Sequence, residues 1–268
     1  MDTKRRDFLA SCAAAVAAAG FGAGRASAAD NVPVLGLIFP PSDRGVPEEG
    51  VAMYGETLRF VVTGLGLERM TPDGYDSVIG RIPQAAETLA AAGAEAIELT
   101  GTSLTFYKGE AFNQRLRQAV TDASGLPATT MSNGVIDGLK AVGAGRVAVA
   151  TAYNDEVNDR LRAFLIEHGL MPVVVTGLGL EAIADVNSVT SNDLIEFGVR
   201  VRESAPEADS LLVSCGGFRT LELIAPIEAR TRVPVISSMP HGLWAGARLV
   251  GLSGAAAGYG TLLSKRAG

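Results

Sequence analysis

The sequence predicts an α/β protein made of two similar lobes, each a parallel sheet with crossover helices. Three observations predict it. Short β-branched runs alternate with Ala-rich helical stretches from Val34 onward. These runs are apolar without a period of two, so their strands are covered on both faces, as in parallel sheets. The octapeptide VVTGLGLE also occurs twice, at Val61–Glu68 and Val174–Glu181, an offset of 113 residues (174 − 61 = 113). The same offset sets Val34 against Val147, both at the start of a strand. One residue more (215 − 101 = 114) sets Gly101 against Cys215, so ELTGTSL and LVSCGGF are equivalent strand-to-loop turns. Three landmarks in register make chance an inadequate account. The chain divides into residues 32–143 and 144–250, two Rossmann-like lobes related by an approximate two-fold axis.

Taken in order, the strands expected from their β-branched runs are Val34–Phe39, Leu58–Thr63, Ala96–Thr100 and Pro127–Thr130 in the first lobe. The second repeats them at Arg146–Thr151, Pro172–Thr176, Ser210–Ser214 and Pro234–Ser237. Helices are expected between them at Tyr75–Ala92, Gly109–Ala123, Asn154–His168 and Ser191–Ser204. Glu48-Glu49 reads as a solvated helix start. Residues 251–268 form a tail with no readable chemistry.

Residues 1–28 read as a targeting segment. Arg5-Arg6 precedes an apolar stretch, and Ala26-Ser27-Ala28 is an A-x-A cleavage site. This resembles a twin-arginine export signal, so the expected partner is the twin-arginine export machinery and the expected location periplasmic or secreted. The apolar stretch is short and glycine-broken for a membrane span, so no stable membrane association is expected after cleavage. Removing residues 1–28 takes four basic and two acidic residues, and the net charge moves from −6 to −8 (−6 − 2 = −8). It also takes Cys12 and leaves Cys215 as the sole cysteine, so no internal disulfide can form. A negative chain with no basic patch gives no electrostatic case for nucleic acid.

Ligands of open parallel sheets sit beyond the carboxyl ends of the strands. Two such lobes facing each other make one cleft, with Gly101-Thr102-Ser103 on one wall and Cys215-Gly216-Gly217 on the other. Glycines let backbone approach a ligand, and amides at a helix start point at anions. With the hydroxyls of Thr102 and Ser103, the site suits a carboxylate. Most free cysteines are small buried hydrophobes, but this one ends a strand at a cleft and precedes Gly-Gly. Tyr153 also follows a strand and has a phenol to offer the cleft. Competing chemistry is poorly supported. His168 and His241 lack partners at metal-ligand spacing, a Cys–His pair through His241 being the only variant worth naming. There is no P-loop, and GLGLER and GLGLEA lack the third glycine of the dinucleotide fingerprint. Trp244 reads as core.

Longer motifs carry a resemblance. IFPPSDRGVP, TPDGYD, TGTSLTFYKGEAFN, TTMS, ATAYNDEVNDRL and LLVSCGG span the chain from about Val34 to Tyr259. They resemble the arylmalonate decarboxylases of the aspartate/glutamate racemase superfamily, whose racemases and maleate isomerases use one cysteine per lobe. Here the first-lobe position is Gly101, the decarboxylase pattern. The resemblance implies cofactor-independent, metal-free decarboxylation of a disubstituted malonate, with a small dicarboxylate as the molecule bound. One carboxylate is held by Thr102, Ser103, Tyr153 and the amides at Gly101, Cys215 and Gly216. The other is pressed against Pro41, Leu67, Met70, Ile183 and Val186, with Tyr75 nearby. Cys215 then protonates the enediolate, so it is expected to rest protonated in the substrate complex. Phe218 stands where this branch is expected to have leucine, and with Met70 it bears on which substituents fit. Two alternatives stay open. An exported dicarboxylate-binding protein would keep its affinity without the thiol. A racemase or isomerase would need Ser103 as a second acid, a poor role for a serine alone.

Overall fold

A computed structural model describes residues 32–42 and 45–265. The targeting segment expected at residues 1–28 lies outside them. The first half begins with β1 (Val34–Phe39), which buries all six residues. It continues through α1 (Glu48–Tyr54), β2 (Arg59–Gly64), α2 (Pro72–Val78), α3 (Ile82–Ala91) and β3 (Ala96–Leu99). Then come α4 (Thr102–Phe106), α5 (Glu110–Ser124), β4 (Ala128–Thr130) and α6 (Met131–Ala141). The second half holds β5 (Arg146–Thr151), α7 (Asp155–Glu167), β6 (Met171–Gly177), α8 (Ile183–Ser188) and α9 (Ser191–Glu203). It ends with β7 (Ser210–Ser214), α10 (Leu221–Thr231), β8 (Val235–Ser237) and α11 (Ser238–Leu249).

The strands form two parallel sheets of equivalent order, β2-β1-β3-β4 and β6-β5-β7-β8. The central strands β1, β3 and β7 are buried throughout, as expected for strands covered on both faces, and β3 buries Glu98 among its apolar residues. The edge strands β2 and β6 are only partly covered. These two strands carry the repeated octapeptide. Its glycine turns dock in the same way: Leu65 N–H donates to Phe39 O at 2.9 Å, and Leu178 N–H donates to Thr151 O at 3.0 Å. Leu67 and Leu180 then donate to Pro40 O and Ala152 O, both at 2.7 Å.

The repeats meet at their own axis. Arg69 and Ala182, equivalent at the offset of 113, form an antiparallel bridge. Met70 N–H donates to Glu181 O at 2.9 Å, and its counterpart Ile183 N–H reaches Glu68 O at 3.5 Å. An Arg69–Glu181 ion pair adds to the bridge. The halves also interlock, because α11 from the second half packs on α6, β3 and β4 of the first. Residues from Val32 onward accordingly form a single compact unit. Among the described residues, no helix is long and apolar enough to cross a membrane.

One expected helix is broken. Tyr75–Ala92 divides into α2, a 3-10 turn over Ile79–Arg81, and α3. Pro83 has no N–H for an i−4 carbonyl and opens α3 in its place. The turn frees Arg81, whose Nη1 donates to Leu65 O at 2.6 Å and braces the first glycine turn.

Candidate active site

The loops at the carboxyl ends of five strands line a tight pocket with a cavity volume of about 40 Å3. Phe39 ends β1 with Pro40 and Pro41 after it, and Leu67 and Met70 follow β2. Thr100, Gly101, Thr102 and Ser103 follow β3, Ile183 and Val186 follow β6, and Cys215, Gly216 and Gly217 follow β7. Nearly every residue expected at the site is therefore in one place. Phe39, Pro40 and Thr100 were not anticipated. They come with the strand ends, and nothing in their residue types marks them.

Gly101 has φ +87°, a left-handed conformation that costs a residue with a Cβ. A Cβ there would also stand 2.2 Å from Pro40 Cγ. The turn thus excludes side chains both sterically and conformationally. α4 starts directly after it, so the first N–H groups of that helix lack intrahelical acceptors. Thr102 is 1% exposed and its Oγ1 donates to Ser238 Oγ at 2.6 Å, which fixes the rotamer. The facing turn comes close: a Cβ on Gly216 would lie 3.8 Å from Gly101 Cα.

Cys215 is buried at 3% exposure, and Gly217 N–H points at its Sγ at 3.4 Å. Its environment differs from the expectation in one respect. No helix starts beside the thiol. Phe218 N–H donates to Cys215 O at 3.2 Å and closes a β-turn, and α10 begins only at Leu221. The α10 amides of Thr220 and Leu221 are already taken by Glu49 Oε1, both at 2.8 Å. Glu48 and Glu49 stand in the first turn of α1 as expected, and half-buried Glu49 also caps a helix in the other half.

Tyr75 and Tyr153 are expected at the site, but neither lines the pocket. Both are buried behind it. Tyr153 OH shares a hydrogen bond with Ser214 Oγ at 3.3 Å. Burial pushes its pKa well up, with Cys215 adding to the shift and Ser214 and Thr102 opposing it. Tyr75 is raised first by burial, and its hydroxyl has no hydrogen bond of normal geometry although Ser103 and Cys215 lie close enough to influence it. Two phenols therefore stay protonated as donors directly behind Ser103, Thr102 and the thiol. Phe218 lies outside the pocket too. It lines a wider groove with Glu48, Glu49 and Arg219, which meets the pocket at Val186 and Gly217.

His241 is fully buried in α11, its Nδ1 engaged with Ser237. Burial lowers its pKa to about 4, so it stays neutral, and it does not line the pocket. His168 pairs with Glu110 at 3.1 Å and meets the Phe164 ring edge-on. Trp244 is core, with the Arg248 guanidinium over its ring at 4.6 Å.

Comparison with known proteins places this arrangement. The arylmalonate decarboxylase family profile matches residues 35–263. The chain belongs to the arylmalonate decarboxylase family. It is 46% identical over 237 residues to an arylmalonate decarboxylase of Bordetella bronchiseptica, covering 88% of this chain and 98% of that protein. A liganded arylmalonate decarboxylase variant, with one glycine changed to cysteine and one cysteine to serine, superposes with a TM-score of 0.84 at 45% identity, covering 87% of this chain and 99% of that one. Its two exchanged positions are 114 residues apart, the spacing of Gly101 and Cys215 (215 − 101 = 114). The fold is also shared with the maleate isomerase Iso of Pseudomonas putida S16, with a TM-score of 0.77 at 23% identity over 87% of this chain and 98% of that one. Membership of this family makes the chain a carboxy-lyase type of enzyme.

Proposed function

We propose that the protein decarboxylates a disubstituted, aryl-bearing malonate and protonates the product from one face. The observation that carries this reading is the meeting, in one largely apolar pocket, of the Cys215 thiol and a turn whose first position, Gly101, excludes a side chain. One substrate carboxylate is held by the hydroxyls of Thr102 and Ser103 and the free amides of that turn, the Thr102–Ser238 hydrogen bond reversing so that Ser238 donates and the Thr102 proton turns to the ligand. The other lies against Pro41, Leu67, Met70, Ile183 and Val186, which solvate its charge poorly. Its C–C bond breaks, CO2 leaves, and the electron pair enters an enediolate on the held carboxylate. The donors there are already aimed at the growing charge, and each such donor is worth ~10²–10³ in rate. Desolvation of the departing carboxylate acts in the same direction. The Cys215 S–H bond then breaks, its proton goes to the α-carbon, and the thiolate recovers a proton from solvent. One thiol on one face accounts for a single enantiomer. Gly101 leaves no acid on the other face, as a racemase would require.

The test is turnover of 2-methyl-2-phenylmalonate, followed by CO2 release and chiral analysis of the monoacid. Wild type is expected to give one enantiomer and Cys215→Ala to lose that turnover. An enantiopure product from Cys215→Ala would remove the thiol from its role. No CO2 from a panel of aryl- and alkenyl-malonates would end the decarboxylase reading. We also propose export through residues 1–28, supported by Arg5-Arg6 and the A-x-A site. Replacing both arginines with lysine should then retain the protein in the cytoplasmic fraction.

A further inference from the structure

Glu98 lies in the middle of β3 with no solvent exposure, and neither carboxyl oxygen has a hydrogen-bond partner. A buried polar group without a partner is costly, and a buried carboxylate far more so. The space around it is specific. A Cβ on Gly242 would stand 2.2 Å from Glu98 Oε1, and one on Gly246 would stand 3.5 Å from Oε2. Two glycines one helical turn apart therefore open a recess in α11 that the carboxyl fills. Leu35 of β1 crowds Gly246 and Met131 of α6 crowds Gly242, which closes the recess with apolar groups.

Both walls of this contact lead to the site. β3 continues from Glu98 through Thr100 into the Gly101–Ser103 turn. α11 starts at Ser238, the acceptor for Thr102 Oγ1. Met131 also reaches the other turn, its Sδ 3.0 Å from a Cβ placed on Gly216. We propose that Glu98 is a positioning residue for the carboxylate turn: as a neutral acid it seats β3 against α11 and keeps Ser238 on Thr102, and as a carboxylate it forces the two apart.

The neighbours leave the charge unbalanced. α11 presents Gly242 and Gly246, β1 presents Leu35, α6 presents Met131, and the backbone partner on β4 is Thr129. The titratable group facing it is Tyr54 of α1, which its charge would only oppose. His241, next along α11, is committed to Ser237 and stays neutral. Burial alone lifts the Glu98 pKa from 4.5 to about 8. The folded chain thus keeps a proton that the unfolded chain loses near pH 4.5. Stability is highest below that value, falls as pH rises towards about 8, and levels off above it.

The inference rests on the carboxylate-binding role of the Gly101–Ser103 turn, so its test is arranged to fail separately. Cys215→Ala serves as parent, which removes thiol ionisation from the pH profile. The probe is 2-phenylpropionate, a monoacid with no second carboxylate to lose. Its Kd is measured by calorimetry from about pH 6.5 to about pH 9.5, and the ligand-free Tm over the same range and down to about pH 4.5. In the parent, affinity is expected to fall at least about fivefold above pH 8, the lower end of ordinary coupling between sites. In Cys215→Ala/Glu98→Gln it should stay level, and the downward slope of Tm with pH should flatten. Glu98→Met is the second variant should the amide disturb folding, with the same flat profiles expected. An unchanged alkaline fall in both double variants overturns the inference. So does a flattened Tm slope with an unchanged Kd profile, which would make Glu98 structural only. A parent that fails to bind at any pH overturns the carboxylate reading itself, and the inference falls with it.

Discussion

Gly101 shows how one position separates two chemistries on one scaffold. Its φ of +87° and the 2.2 Å approach to Pro40 act together, so a side chain there strains the backbone and collides with the loop after β1. Gly101→Ala is expected to destabilise the fold by about 1–3 kcal/mol, the usual cost of a non-glycine residue in such a conformation. Chemical denaturation would read this as a lower midpoint at unchanged slope. Adding Pro40→Ala should relieve the collision and leave the backbone strain. A second residue prediction concerns Thr102. Thr102→Val keeps the shape but removes the hydroxyl and its bond to Ser238. The expected loss is about 10²-fold in kcat with a small change in Tm, as for one missing oxyanion donor. An unchanged kcat would show that Thr102 serves packing alone. At this scale much of the site was legible. The internal repeat paired position 101 with position 215, and the motifs located the apolar wall. Ser214, Ser238 and Glu98 were not legible. Each is a polar residue in or next to a buried strand, and its meaning lies in a partner, or an absent partner, far along the chain.

At the scale of elements, the turn after β7 departs most from its counterpart after β3. α4 begins at once after Gly101, whereas α10 waits until Leu221 and is capped from the other half by Glu49. Runs such as LLVS announce strands because burial on both faces leaves no alternative. Helix starts are harder to read, because a cap lent by Glu49 from 171 residues away leaves no local mark. The break at Ile79–Arg81 was in principle legible in Pro83, but the Ala-rich periodicity on either side outweighed it. The cap has a measurable value. Glu49→Ala leaves the Thr220 and Leu221 amides without this acceptor and should cost about 0.5–2 kcal/mol, the range for lost helix caps. Because the capped amides adjoin the Cys215–Phe218 turn, the product enantiomeric excess should also fall. A stability loss with the stereochemistry intact would show that the turn holds its shape without the cap.

At the scale of the whole molecule, duplication did not produce two independent bodies. The pseudo-axis passes through the Arg69–Ala182 bridge, and Met70 and Ile183 hang from it into the pocket. The site therefore exists only where the halves meet. The core is shared in the same way. α11 covers α6, β3 and β4 of the first half, and its Gly242 and Gly246 accommodate Glu98. Residues 32–143 alone would expose this apolar face and leave a carboxyl half-uncovered, while residues 144–268 would present α11 with nothing to cover. Each fragment loses the apolar contact with the other half that offsets part of its chain entropy. Each is expected to lack a cooperative thermal transition when expressed singly, and the co-expressed pair to regain one together with 2-phenylpropionate binding. The intact chain should melt in one step, with circular dichroism and tryptophan fluorescence coincident, since Trp244 sits in the shared helix. A cooperative melt of residues 32–143 alone would mean that the α11 contact is an addition to a finished fold, and the coupling of Glu98 to the site would have to act within the first half.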